Sequence, residues 1–315
     1  MKKLAVIVAM GLVTGQVMAA SFQPKVVSDS AKWVLHADLD LLKKTQVGAF
    51  VVSQLSAGEA GNKLAALSAV LQFDPRKDLS GITLYGSAKD PQQAVAIFDG
   101  TFNTAQLVTL LKANSTYEAV TNGSDTIHSW IDDKKPGARM YGCSHSGKIL
   151  ISQGLPMIKE SLAVLSGKHP SIETAKTFVD LPVTEPFFMA SSDLSALGGQ
   201  SDAQMFSQAK AGRLALGEKA GQVVLSVALS TADAETAARL QQVAQGLLAM
   251  GQMNQQQEPA LAALLQAAQV TVEGSQVRMN VSYAADKVVA VLQEKVKKPT
   301  PKQAVAAPAP APAAP

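Results

Sequence analysis

The chain has 315 residues, 47% of them hydrophobic and 17% charged, with a formal net charge of +3. Two of those charges are Lys2 and Lys3 in an acid-free segment, so beyond residue 20 the balance is 3 − 2 = +1. That length supports one large domain or two modest ones. The near-neutral balance, with no basic stripe interleaved with aromatics, argues against a nucleic-acid partner.

Residues 1–20 read M-K-K-L-A-V-I-V-A-M-G-L-V-T-G-Q-V-M-A-A. A basic start, an apolar run from Leu4 to Val13 and small residues at Ala19-Ala20 form the pattern of a cleaved signal peptide. The apolar run is short of the ~20 residues a spanning helix needs, and no later segment is long and apolar enough to span. The expected location is the bacterial periplasm, with secretion as the second choice. Residues 21–30 are expected to be a flexible lead-in.

The first folded half is expected over 31–168. It opens on W-V-L-H-A-D-L-D-L-L, where His36, Asp38 and Asp40 alternate and would share one strand face as metal ligands might. A strand that ends at Asp38 offers a simpler account: the carboxylate caps the helix that follows. Strands are expected at Ile82–Tyr85 and Ala94–Phe98, with a helix opening at Asn103. Asn122-Gly123 signals a hairpin, and a second hairpin is expected at Ser144–Gly147.

That second turn lies inside G-C-S-H-S-G-K-I, residues 142–149, which matches the G-x-x-x-x-G-K core of a phosphate-binding loop. Ile149 stands where Ser or Thr would hold Mg²⁺, and Leu150-Ile151 continue as a strand rather than a helix, so a hairpin is the better reading. Ser144, His145 and Ser146 lack the G-x-S-x-G context of a serine nucleophile. His36, His128 and His169 show no spacing that pairs them with a carboxylate, and Asp132-Asp133-Lys134-Lys135-Pro136-Gly137 reads as a solvated turn. Cys143 is the sole cysteine, so no intramolecular disulfide can form, and it reads as a small buried residue. A helix over Glu160–Leu165 completes the half.

Residues 169–186, with Pro170, Pro182 and Pro186, read as a connection. The second half is expected over 187–298, with a strand at Val223–Val227, helices at Ala234–Met250 and Pro259–Gln269 broken around Gly251–Asn254, and a hairpin within Val270–Val281. From 299 the chain is rich in Pro and Ala, which alternate toward its end and can form neither helix nor sheet ladder, and a disordered tail is expected over 299–315.

Three pairs of anchors recur in the same order in both halves. Asp38-Leu39 and Leu42 match Asp193-Leu194 and Leu197; the helix starts at Asn103 and Asp233 correspond; Glu160–Leu165 resembles Lys287–Leu292. The pattern implies an internal duplication. The expected fold class is therefore α+β: two related halves, each an antiparallel sheet with helices packed on one face.

The helix D-A-E-T-A-A-R-L at 233–240 and the ending V-T-V-E-G-S-Q-V-R-M-N-V-S at 270–282 resemble a loose group of uncharacterised exported bacterial α+β proteins. The resemblance implies a fold and no activity. No catalytic, cofactor-binding or metal-ligating residue is assigned, since H-E-x-x-H, EF-hand and paired C-x-x-C patterns do not occur. The expected function is a non-enzymatic exported protein that binds another protein or a cell-envelope component such as the cell wall. A carrier of a hydrophobic ligand or lipid is the first alternative, marked by an apolar cavity larger than a packing defect. A hydrolase with an unrecognised active site is the second.

Overall fold

A computed structural model of the chain describes residues 21–132, 137–174, 186–195, 208–253 and 259–297. The proposed leader, the Pro/Ala tail and the connection at 175–185 lie outside the described residues.

Among the described residues, twelve strands form one antiparallel sheet. In chain order they are β1 (Trp33–Asp38), β2 (Leu79–Gly86), β3 (Ala94–Gly100), β4 (Glu118–Asn122), β5 (Asp125–Ile131), β6 (Arg139–His145), β7 (Lys148–Ser152), β8 (Phe188–Asp193), β9 (Ala209–Lys219), β10 (Gln222–Thr231), β11 (Ala268–Glu273) and β12 (Gln276–Ala284). Across the sheet they run β11-β12-β10-β9-β8-β1-β2-β3-β7-β6-β5-β4. The central seam is the β1–β8 pair, with Val34 opposite Ser191 and His36 opposite Met189. The two stretches of chain thus contribute to one continuous sheet.

The helices are α1 (Leu39–Lys43), α2 (Gln46–Ser56), α3 (Gly58–Leu71), α4 (Pro75–Asp78), α5 (Thr104–Lys112), α6 (Leu155–Leu165), α7 (Ala234–Met253), α8 (Pro259–Gln266) and α9 (Ala285–Lys297). Side-chain caps mark several starts. Asp38 accepts from the Leu41 amide, Thr45 from Gly48, Asn103 from Gln106 and Asp233 from Thr236. Each satisfies an amide that the first helical turn leaves unpaired.

Tight turns hold the register. Ser146 and Gly147 have φ of 49° and 76°, and Ala220 and Gly221 have 50° and 73°. Two successive positive φ values define the turn whose twist suits antiparallel strands. The phosphate-loop look-alike is therefore the β6–β7 hairpin, and Lys148 at its base pairs with Asp99 on β3.

Alternation divides the sheet into two faces. One carries Val34, Tyr85, Val95, Ile97, Leu150, Cys143 and Ile127, all buried. Helix α6 covers this face, burying Met157, Ile158, Ser161, Leu162 and Val164. Val26, Val27 and Ala31 from the start of the described chain join the same core. This segment is pinned by polar contacts: the Ser28 and Ser30 hydroxyls both donate to Glu160 on α6. On the other face, α7 packs Ala237 and Leu240 against Leu229, Val270, Val272 and Val277.

Two expectations require correction, and one strand was not anticipated. Helices were expected on one face of each half, but α5 lies on the face opposite α6. The helix break at Gly251–Asn254 does not begin at Gly251, because α7 continues through Met253. Finally, Ala209–Lys219 is a long strand that the sequence reading did not anticipate. The segment A-K-A-G-R-L-A-L-G-E-K has mostly good helix formers, yet it gains ladder partners from β10 along nearly its whole length and from β8 over Ala211–Leu216, which outweighs a weak local preference.

Candidate ligand-binding cavity

The second face of β5, β6 and β7 presents His128 and Trp130, Gly142 and Ser144, and Ile149 and Ile151. Register aligns them: His128 stands opposite Gly142, and Gly142 opposite Ile151. Gly142 has no side chain to fill its place, and a Cβ there would lie 3.2 Å from the Trp130 ring. The strands therefore form a shallow apolar trough with an aromatic wall.

Helix α5 roofs this trough without closing onto it. Its apolar residues recur at helical spacing: Leu107, Val108, Leu110 and Leu111. None of its residues is fully buried, in contrast to the five that α6 buries on the other face. The space left between roof and floor is a cavity of about 450 Å³. Leu71, at the end of α3, closes part of its side, and Asn114 and Asp132 line it as well. This volume falls in the range of about 300–1,000 Å³ typical of small-molecule sites and far exceeds the space of one water.

The lining is mostly hydrocarbon, with polar groups at its margins. The Asn114 carboxamide is engaged locally, donating to the Ile131 carbonyl and accepting from the Thr116 amide and hydroxyl. His128 Nδ1 lies 2.9 Å from the Tyr117 hydroxyl, and the two rings stack. Burial, and secondarily the nearby Lys112 charge, lower the His128 pKa. Cys143 is 2% exposed, and burial first, then Asp125, pushes its thiol up to about 11. It therefore stays protonated at neutral pH, which suits a structural residue and disfavours a nucleophile.

Of the residues singled out by sequence, His128, Cys143, Ser144 and Asp132 line the cavity, and the others fall elsewhere. His36 is buried, with Nδ1 2.9 Å from the Thr83 hydroxyl and its ring against Phe22. Asp38 caps α1 through a 2.8 Å bond from the Leu41 amide, while Asp40 has left the strand and pairs with Lys43 at 3.0 Å. The alternation that suggested three ligands on one face therefore ends at Asp38. Asp38→Ala is expected to cost about 1 kcal/mol, the usual worth of such a cap. Urea unfolding would measure it, and an unchanged midpoint would argue against the capping role.

His145 pairs with Asp125 at 2.9 Å on the hairpin ends. His169 Nε2 lies 3.2 Å from Asp29 and 4.0 Å from Glu160, without hydrogen-bond alignment. Ser28, Ser30, Asp29, Glu160 and His169 thus gather residue types used in hydrolysis. Their connectivity is wrong for it: both serine hydroxyls donate to Glu160 rather than to an imidazole that could take their proton. The group pins the first described segment to α6. Asp132 lines the cavity; Asp133–Pro136 lie outside the described residues.

Sequence reading named His128, Cys143, Ser144 and Asp132 but did not join them, or the α5 residues that roof them, into one site. The only usable signal was the apolar stripe of α5 together with a glycine in β6, and neither shows that the two face each other.

No family model matches the chain, and no curated protein does. Among solved structures it is similar to TP0453 in crystal form III, with 10% identity, a TM-score of 0.49 and coverage of 87% of this chain and 99% of that one. Crystal form I of the same protein gives 12% identity, a TM-score of 0.44 and coverage of 88% and 98%. This likeness assigns no chemistry.

Proposed function

We propose that this chain is an exported, non-enzymatic protein that holds a hydrophobic small molecule in the cavity beneath α5. The observation that carries the reading is the 450 Å³ apolar space between an incompletely buried helix and a sheet face. Between binding a macromolecular partner and carrying an apolar ligand, this geometry favours the carrier. Burying a ligand there would complete the packing of α5 at about 25 cal/mol per Å² of apolar surface removed from water. The sequence of residues 1–20 supports export, with the periplasm as the destination.

Strand order supports a duplicated design. Outward from the central seam, β1-β2-β3-β7-β6 runs one way, with β5-β4 added at its edge, and β8-β9-β10-β12-β11 runs the other. A helix follows the third strand in each series, α5 and α7, and another follows the fourth in spatial order, α6 and α9. In this reading α7 seals its half, while α5 stands off and leaves a binding site.

A second reading, attachment to a protein partner, rests on apolar side chains left outside on α3 and α7, among them Leu67, Val70, Leu247 and Met250. The carrier reading is tested first. The purified chain should show saturable binding of a fluorescent fatty-acid analogue. Leu107→Trp, which puts a larger side chain into the cavity, should weaken binding at least about tenfold while the protein stays folded by circular dichroism. Absence of saturable binding to the unaltered chain, or full affinity in the filled variant, would overturn it.

A further inference from the structure

The cavity adjoins a polar depression, with which it shares Thr104, Val108, His128 and Ser144. Lys112 and Asp125, of opposite sign, both line the depression, so charge selects no ligand there. Hydrogen bonding can. Thr104 and Ser144 offer freely rotating hydroxyls, and His128 offers a ring nitrogen.

Of these three, His128 is held in place. Its Nδ1 lies 2.9 Å from the Tyr117 hydroxyl, and the two rings stack. Tyr117 lines neither the cavity nor the depression, so it braces the imidazole from outside the site. Nε2 makes no hydrogen bond among the described residues and is not sealed from solvent. A fixed ring with an open nitrogen is preorganised for a ligand. The other polar groups of the cavity differ: Asn114 is engaged locally, and Asp132 has interactions of its own.

With its pKa lowered by burial and then by Lys112, the ring is neutral at pH 7. A neutral imidazole has one N–H and one bare nitrogen. If the Tyr117 hydroxyl donates to Nδ1, Nε2 is a donor; if that hydroxyl accepts from Nδ1, Nε2 is an acceptor. A ligand hydroxyl suits both cases, because it donates and accepts. A carbonyl or ether oxygen suits only the first.

The skeleton that carries the hydroxyl is set by Trp130. It stands two residues from His128 on β5, so the two side chains share a face about 6.6 Å apart. The indole lies across Gly142, where a Cβ would meet it at 3.2 Å, and gives the cavity floor a flat apolar surface beside the imidazole. We infer that the ligand is a compact apolar ring molecule bearing a hydroxyl, its rings on Trp130 and its hydroxyl bonded to His128 Nε2. This rests on the carrier reading and adds to it the group that the site recognises and the residue that recognises it.

The test is titration of the purified chain with 2-naphthol and with 2-methylnaphthalene, which differ by a hydroxyl against a methyl of similar size. In a pocket with no partner for the hydroxyl, 2-naphthol would lose water without return and the methyl compound would bind tighter. With His128 in place, 2-naphthol should bind about fivefold tighter, the fold-change of one net hydrogen bond. His128→Phe should reverse the order while leaving 2-methylnaphthalene binding nearly unchanged, which also shows that the cavity is intact. His128→Gln, with an amide nitrogen near the place of Nε2, should keep the preference for 2-naphthol. The comparison on the unaltered chain stands whether or not the variants fold. Equal or tighter binding of 2-methylnaphthalene there, or a preference for 2-naphthol that survives in His128→Phe, would overturn the His128 assignment and leave the carrier reading standing. Failure of both naphthalenes to bind where the fluorescent fatty-acid analogue binds would do the same. Failure of all three would overturn the carrier reading and this inference with it.

Discussion

Ile158→Ala is expected to lower the unfolding free energy by about 2–5 kcal/mol, the range for truncating a large aliphatic residue in a closed core. Ile158 is 0% exposed and belongs to the cluster that includes Tyr85, Ile97, Ile127 and Leu150. The change removes apolar surface and leaves a void that surrounding strands, tied by ladders on both sides, cannot collapse to fill. Alanine's better helix propensity returns only about 0.4 kcal/mol and does not alter the sign. In urea, the midpoint should fall with little change in slope, since the surface exposed on unfolding is nearly the same. Leu67→Ala is the control. Leu67 is 52% exposed on α3, and its truncation should stay within about 0.5 kcal/mol. Equal effects from the two would show that α6 does not organise the core.

Gly154→Ala is expected to destabilise by about 3 kcal/mol, the upper part of the usual overpacking range. Gly154 precedes α6 with φ −112° and ψ 116°, an extended conformation that alanine also adopts. Torsional strain is therefore not the cause. A Cβ there would fall 1.8 Å from the Gln92 carbonyl oxygen and 2.9 Å from its carbon. These are backbone atoms at the entry to β3, so no side-chain rotation relieves the clash. The turn is also fixed by Ser152, whose hydroxyl donates to the Ala94 carbonyl and accepts from the Gly154 amide. Gly246→Ala, in the middle of α7, should behave oppositely. Nothing lies within 4 Å of its Cβ position, so alanine should stabilise by about 0.5–1 kcal/mol. Thermal melts of both variants would show opposite shifts; a matching pair of stabilising shifts would disprove the close approach at Gly154.

These expectations locate stability and proposed function on opposite faces of the same strands. In β5, β6 and β7, Ile127, Cys143 and Leu150 point to the tightly closed α6 side, while Trp130, Gly142 and Ile149 point to the cavity. A strand can serve both because its side chains alternate. Core substitutions such as Ile158→Ala should therefore affect stability first, and cavity substitutions such as Leu107→Trp should affect ligand binding first.

Much of the local structure was legible. The capping pattern at Asn103 placed the start of α5, the likeness of Glu160–Leu165 to Lys287–Leu292 marked part of α6, and Asp38 marked the change from strand to helix. The β6–β7 hairpin was readable because Ile149 and the strand-like residues after it did not suit a phosphate loop. Each of these rests on contacts within a few residues, where caps and turns supply their own hydrogen-bond logic.

What the chain alone determined is thus the class and the punctuation: α+β, with antiparallel hairpins, capped helices and no recognisable catalytic motif. What only the tertiary structure decided is the union of twelve strands in one sheet, the strand state of Ala209–Lys219, the placement of α5 and α6 on opposite faces, and the cavity. These depend on registers between distant residues and on how far a helix stands from a sheet. An apolar stripe in sequence says that a helix has something to cover; it does not say whether that surface is closed by protein or left for a ligand.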